Sequence, residues 1–205
     1  MDSHEDKKAS LMIPGLKSKI NTANALVASS HNRVSDNATR IRLANQVKAA
    51  SNYTKTAHPR VNQVNAHINA LNVLMNSVRN SQAAWNRAQA AHAAYIRSIR
   101  VVKTVNSTMN CTPSRGDPVC QHAVDTKRLV HIRYSFGTSI FAQHNYAGGN
   151  WINGLSVGQG VRVNGVLYVV KSVAVRQTVV PTSGIYLQTC TTNGQGIRLV
   201  RIVQP

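Results

Sequence analysis

The sequence predicts an α+β protein in two parts: a long N-terminal helical hairpin or coiled coil, then a small, mostly antiparallel β-barrel. Three observations carry that reading. Apolar residues recur at Val61, Val64, Ile68, Leu71, Met75 and Val78, then at Trp85, Ile96 and Ile99. Their alternating spacing of three and four is the heptad stripe of a helix packed along a partner. After Lys127 the apolar period becomes two, in runs rich in Val and Ile, as in half-buried strands. Between two of those runs stands Asn164-Gly165, a pair that tolerates the positive φ of a tight hairpin turn.

Residues 1–15 begin Met1-Asp2-Ser3-His4-Glu5-Asp6-Lys7-Lys8, with no long apolar stretch behind them. They read as a flexible N-terminus and not as a secretory signal. Residues 16–107 read as helix. Ile20, Ala23, Val27, Val34, Ile41 and Ala44 carry a weaker stripe, and His58-Pro59 interrupts it, because proline lacks an amide donor and restricts the residue before it. An antiparallel hairpin turning near Pro59 would cover the stripe by fold-back within one chain. Gln82, Gln89 and His92 fill seam positions and thin it. A spacer or oligomerisation stalk is the plain role for such a segment.

Residues 108–125 read as a linker, with turn formers over Pro113-Ser114-Arg115-Gly116-Asp117-Pro118 and Cys111 and Cys120 on either side. Two cysteines closing a short polar loop suggest a disulfide and an oxidising compartment. A zinc site needs further ligands, of which His122 supplies one at best, and two free thiols are the remaining alternative. Residues 126–205 read as the β domain, with six strands over 128–134, 138–142, 161–163, 166–175, 184–190 and 197–203.

Charge narrows the chemistry. Lys and Arg number 24 against 6 Asp and Glu, a formal net charge of +18. Residues 126–205 hold no acid at all, against Lys127, Arg128, Arg133, Arg162, Lys171, Arg176, Arg198 and Arg201. Within that segment this excludes paired-carboxylate glycosidase chemistry, a carboxylate-held Mg²⁺ or Ca²⁺ site, and a triad with a local Asp. A polyanionic neighbour is implied: nucleic acid, anionic lipid or an acidic cell-wall polymer. No run of about 18 apolar residues is present to span a bilayer.

The reactive side chains lie in the β half. Cys190 ends a strand, Arg198 lies eight residues on in the returning strand, and His144 follows another strand and opens the polar loop 145–150. A thiolate is the nucleophilic form of cysteine, an imidazole can take and return its proton, and a guanidinium can hold an oxyanion or position an acyl group. By residue type alone, a Cys such as Cys190 in a Val-rich strand is more often packing than a nucleophile, and His144 and Arg198 are more often surface residues than catalytic ones.

Motifs add to this reading. Tyr186-Leu187-Gln188-Thr189-Cys190, followed by Ile197-Arg198-Leu199-Val200, resembles the Thr-Leu-x-Thr-Cys…Arg signature of the sortases, with Tyr186 in place of the first Thr. Ser139-Ile140-Phe141-Ala142-Gln143-His144 resembles that family's strand ending in Ala-Gly-His, with Gln143 where glycine is usual. Leu155-Ser156-Val157-Gly158-Gln159-Gly160-Val161 resembles its Leu-x-x-Gly-Asp-x-Val step, with Gln159 for the Asp. The likeness covers residues 138–203 and keeps the order His, Cys, Arg.

The resemblance implies a cysteine transpeptidase on a β-barrel at the outer face of a Gram-positive-type bacterial membrane. It cleaves a C-terminal sorting motif of the Leu-Pro-x-Thr-Gly kind, holds the acyl fragment as a thioester, and passes it to an amine of peptidoglycan or a pilin. Cys190 is then the nucleophile, His144 the general acid and base, Arg198 the oxyanion and substrate clamp, and Thr189 a wall of the site. No cofactor or metal is expected. Two other classes remain: a sortase-like binding or assembly module without activity, and a basic nucleic-acid-binding protein. The last is disfavoured by having few aromatics to stack on bases beyond Tyr134, Trp151 and Tyr168.

Overall fold

The computed structural model describes residues 3–113, 119–176 and 180–205. The chain is α+β, with N-terminal helices followed by a curled, eight-stranded half-barrel. It divides into two compact units, residues 1–94 and 95–205. Most of the turn expected over 113–118 lies outside the described residues.

The first unit holds three helices where the sequence suggested a two-helix hairpin: α1 (Ser3–Ser29), α2 (Asn37–Tyr53) and α3 (Val61–Ser98). Helix begins at Ser3, so residues 3–15 are not a loose start; Ala9 is fully buried. The extra break is built from local signals. Asn32 takes φ 57, a left-handed conformation that Asn tolerates, and Asp36 caps α2 by accepting from Ala38 N–H at 2.8 Å. That turn docks on α3 at Ser81. Ser35 N–H donates to Ser81 O at 3.2 Å, and Asp36 N–H donates to Ser81 Oγ at 2.9 Å.

Leu16, Ile20 and Ala23 of α1, Leu43, Val47 and Ala50 of α2, and Val64, Leu71, Met75 and Val78 of α3 share one core. The α3 stripe is thus covered by fold-back as far as Ser81. Beyond it, the polar seam positions Gln89 and His92 are exposed.

The second unit contains β1 (Val101–Val105), β2 (Met109–Cys111), α4 (Val119–Val124), β3 (Val130–Arg133), β4 (Thr138–Ala142), a 3-10 helix η1 (Gly149–Gly154), β5 (Gly160–Val163), β6 (Val166–Arg176), β7 (Gly184–Cys190) and β8 (Ile197–Val203). The strands lie in the order β1-β5-β6-β8-β7-β4-β3-β2. Three corrections follow. The described residues form eight strands and not six, because 101–105 and 109–111, read as helix and linker, join the sheet. The sheet is mixed, since β1·β5, β2·β3 and β4·β7 are parallel. Its ends, β1 and β2, do not pair among the described residues, so it is not a closed barrel.

The reason for β1 is visible in its composition: the β-branched Val101, Val102, Thr104 and Val105 favour strand once the helix ends. Its neighbour β5 starts at Gly160, where a Cβ would fall 2.5 Å from Ile99 Cγ2. The Asn164-Gly165 hairpin forms as expected, with φ 51 and 82. Strand alternation separates two cores. Phe141 of β4 and Leu187 of β7 join Val161, Val163, Val200 and Ile202. Ile140, Ala142 and Tyr186 pack instead with Val130 and Ile132, beneath Cys120 and Val124 of α4.

Candidate active site

Register explains how two distant residues meet. Strands β4 and β7 run parallel with Ala142 paired to Gln188, and Gln143 N–H donates to Gln188 O at 3.1 Å. Two residues past that pair on each strand stand His144 and Cys190. His144 Nδ1 lies 3.1 Å from Cys190 Sγ. The other imidazole nitrogen, Nε2, lies 2.9 Å from Asp125 Oδ1. A carboxylate only accepts, so Nε2 carries the hydrogen and Nδ1 offers its lone pair to the thiol. Cys190, His144 and Asp125 therefore form a thiol–imidazole–carboxylate chain, an arrangement that can pair a thiol with an oriented base.

The loop after His144 is closed by hydrogen bonds to its own backbone. Gly149 N–H donates to His144 O at 2.8 Å and Ala147 N–H at 3.1 Å. The buried Gln143 side chain gives its amide hydrogen to Ala147 O at 2.9 Å. A Cβ at Gly149 would collide with the Gln143 carbonyl, so only glycine permits this close a turn. From Gly149 the chain enters η1. The Tyr146 ring stacks on the His144 imidazole with centroids 4.9 Å apart, leaving the His144 side chain 19% exposed.

Arg198 is not brought to the sulfur. Antiparallel pairing sets it opposite Thr189 and sets Ile197 opposite Cys190. Facing residues point to the same side and neighbours to opposite sides, so Arg198 leaves the sheet on the side away from Sγ. Its Nε donates to Ile152 O at 3.2 Å and its Nη2 to Leu155 O at 2.8 Å. From the η1 that it clasps, Asn153 Nδ2 donates to Cys190 O at 3.1 Å, and Asn145 Nδ2 donates to Thr191 O at 3.1 Å. Arg198, Asn153 and Asn145 thus fix the strand end that carries the thiol. Thr189 is buried, lines the same cleft as Cys190, and its Oγ1 has no hydrogen-bond partner among the described residues.

That cleft encloses about 330 Å³ and is walled by Cys120, Val124, Ile132, Tyr134 and Ile197 around Cys190. Burial raises the Tyr134 phenol above its ordinary range, so it stays neutral there. The wall includes the Cys111–Cys120 disulfide, which the structure contains, excluding both the zinc and the free-thiol alternatives. A second cleft, of about 460 Å³, is lined by Lys103, Lys127, Arg128 and Trp151, with Lys103 Nζ 5.7 Å from the Trp151 ring centroid. The helical unit has a larger one, about 600 Å³, lined by Glu5, Asp6, His58 and Arg60 and holding no nucleophile.

Asp125, Asn145 and Asn153 are the site residues that sequence reasoning missed. Asp125 directly precedes the acid-free segment, and that position was the available signal.

No protein-family model matches the chain, and no curated protein or solved structure matches it either. The class of protein is therefore drawn from the geometry of the site. No described helix is long and apolar enough to cross a membrane.

Proposed function

We propose that the β unit is a sortase-like cysteine transpeptidase. The observation that carries this reading is the His144 imidazole held between Cys190 Sγ at 3.1 Å and Asp125 Oδ1 at 2.9 Å. The thiol gives its proton to Nδ1 as sulfur attacks the scissile carbonyl of a sorting motif. The imidazolium, steadied by Asp125, returns a proton to the departing amine, and the acyl fragment remains as a thioester on Cys190. An amine of peptidoglycan or of a pilin then attacks the thioester, loses its proton to His144, and releases the enzyme. No cofactor enters any of these steps.

Arg198 acts in this scheme as a positioning residue, since its guanidinium is committed to the carbonyls of η1. The cleft of Lys103, Lys127 and Arg128 supports an anionic cell-wall polymer as a neighbour, in keeping with work at the outer face of a bacterial membrane. The orientation of Arg198 also favours a second reading, a sortase-like assembly module that binds a sorting motif without cleaving it. Incubation with a sorting-motif peptide and a glycine-based amine acceptor separates the two. The transpeptidase yields the joined product, and Cys190→Ala yields none. Peptide bound intact by both proteins supports the assembly module.

A further inference from the structure

We propose that the Cys111–Cys120 disulfide is a positioning element of the active site, holding α4 on the sheet so that Asp125 stays against His144 Nε2. The inference rests on the reading of Cys190 and His144 as nucleophile and base, and it names what keeps that pair aligned.

The elements joined by the disulfide are individually weak. α4 has six residues, too few to be stable as an isolated helix. β2 has three residues and sits at the end of the sheet, paired only with β3. The described apolar contact of α4 is made by Cys120, Val124 and the partly buried Ala123 with Val130, Ile132, Ile140 and Ala142. The S–S bond is the covalent tie between the two.

Asp125 is coupled rigidly to α4. It follows the last helical residue, Val124, and its N–H donates to His122 O at 3.2 Å. The next residue is locked to the same helix end, with Thr126 N–H donating to Ala123 O at 3.2 Å and Thr126 Oγ1 at 2.7 Å. Wherever α4 goes, the carboxylate goes with it. That carboxylate is 44% exposed, and an ion pair so open to water adds only modestly to its own alignment. The helix end that carries it therefore bears on that alignment, and the disulfide is the covalent part of its attachment to the sheet.

Cleaving the bond consumes two electrons and two protons. With a water-soluble phosphine, phosphorus takes an oxygen atom from water and becomes the phosphine oxide, while Cys111 and Cys120 become thiols. In the thiol form α4 loses its covalent tie to β2, and Asp125 is withdrawn from Nε2 for much of the time.

The test uses the full chain and a reaction that needs no peptide substrate, the alkylation of Cys190 by iodoacetamide. Cys190 is the one cysteine outside the disulfide, so intact mass reads a single adduct in the oxidised protein and in the Cys111→Ser/Cys120→Ser pair. Rates are followed from about pH 5 to pH 9 in wild type, His144→Ala, Asp125→Asn, the serine pair, and the serine pair combined with Asp125→Asn. In wild type, His144→Ala slows alkylation at the acidic end and changes the shape of the profile. Asp125→Asn lowers the acidic limb by about 10-fold, the size of one charge-assisted hydrogen bond to the imidazole. The serine pair reproduces the Asp125→Asn profile, and the combined variant shows no further loss. This non-additivity is what a shared mechanism requires.

A serine pair with the wild-type profile, in which Asp125→Asn still costs 10-fold, overturns the inference while leaving the nucleophile and base standing. An unchanged profile in His144→Ala overturns the underlying reading itself. Should the serine pair fail to fold by circular dichroism, wild type reduced by phosphine, desalted and alkylated is analysed by peptide mapping at Cys190. Loss of fold in that form also overturns the inference, because the bond would then be a general staple and not a positioning element.

Discussion

Gly149→Ala probes how tightly the loop after β4 determines where the base stands. The added methyl would overlap the Gln143 carbonyl and come within 2.8 Å of His144 O and 2.9 Å of Gln143 C. These are backbone atoms, so no side chain can swing away. Ordinary contact begins near 3.4 Å, and the loop must withdraw from the Gln143 carbonyl by roughly an ångström. That movement breaks the 2.8 Å bond from Gly149 N–H to His144 O, about 1 kcal/mol, and adds overpacking strain of about 1–3 kcal/mol. The expected loss is about 2–4 kcal/mol, read as a lower Tm for the β unit.

Catalysis should suffer more, because a misplacement of about 1 Å between base and nucleophile costs of the order of 100-fold in rate. The assay is thermal melting beside the rate of Cys190 acylation. The control is Gly154→Ala, where a Cβ meets nothing within 4 Å and φ is not positive; it should stay within about 0.5 kcal/mol of wild type. Gly149→Ala protein that melts and acylates like wild type would refute the account of this loop.

Leu187→Ala removes a fully buried side chain from the β core and should destabilise that unit by about 2–5 kcal/mol in denaturant titration. His131 is pushed below its ordinary value of 6.5, first by burial and then by the charge of Arg133. Above pH 6.5 both folded and unfolded chains hold it neutral; as pH falls through 6.5 the unfolded chain takes the proton first, so stability should drop toward the lowered folded value and then level off. His131→Phe, which keeps the stacking on Phe141, should flatten that fall in Tm measured against pH. Arg198→Lys should lose most activity and about 1–2 kcal/mol of stability, because one ammonium cannot reproduce the fork that reaches both Ile152 O and Leu155 O.

How much of this was legible depends on whether the relevant physics is local. The Asn164-Gly165 hairpin was, since positive φ at both positions is a property of the two residues themselves. The break before α2 also had local signals, in Asn32 and the capping Asp36, but the weak apolar stripe running through Val34 masked it. β1 was hidden similarly: Ile96 and Ile99 continue the helical phase into Val101, and the switch shows only through pairing with β5.

The ordered triplet of His144, Cys190 and Arg198 was readable as motif, yet spacing does not give direction. A hairpin brings Cys190 and Arg198 close along the chain. The register then decides which face each one takes, and a single residue's shift reverses it. Arg198 pairs with Thr189, which turned an expected clamp into a brace for η1. Asp125 was missed for a different reason. Its partner lies 19 positions away in sequence, and the two meet only because a six-residue helix is tied down beside the sheet. The same fact limits the exclusion drawn from charge. Residues 126–205 do lack acids, but the fold supplies one from the position just before them.

The central claim is that Cys190 attacks a carbonyl with His144 as its base. Its most direct test is the intact mass of the oxidised protein, quenched in acid after brief exposure to a sorting-motif peptide. The expected result is a mass increase equal to the acyl fragment, located on Cys190, released by hydroxylamine, and absent in Cys190→Ala. Adduct formation should also be strongly slowed in His144→Ala. No adduct on wild-type protein with any sorting-motif peptide, or an adduct that persists in Cys190→Ala, would contradict the claim.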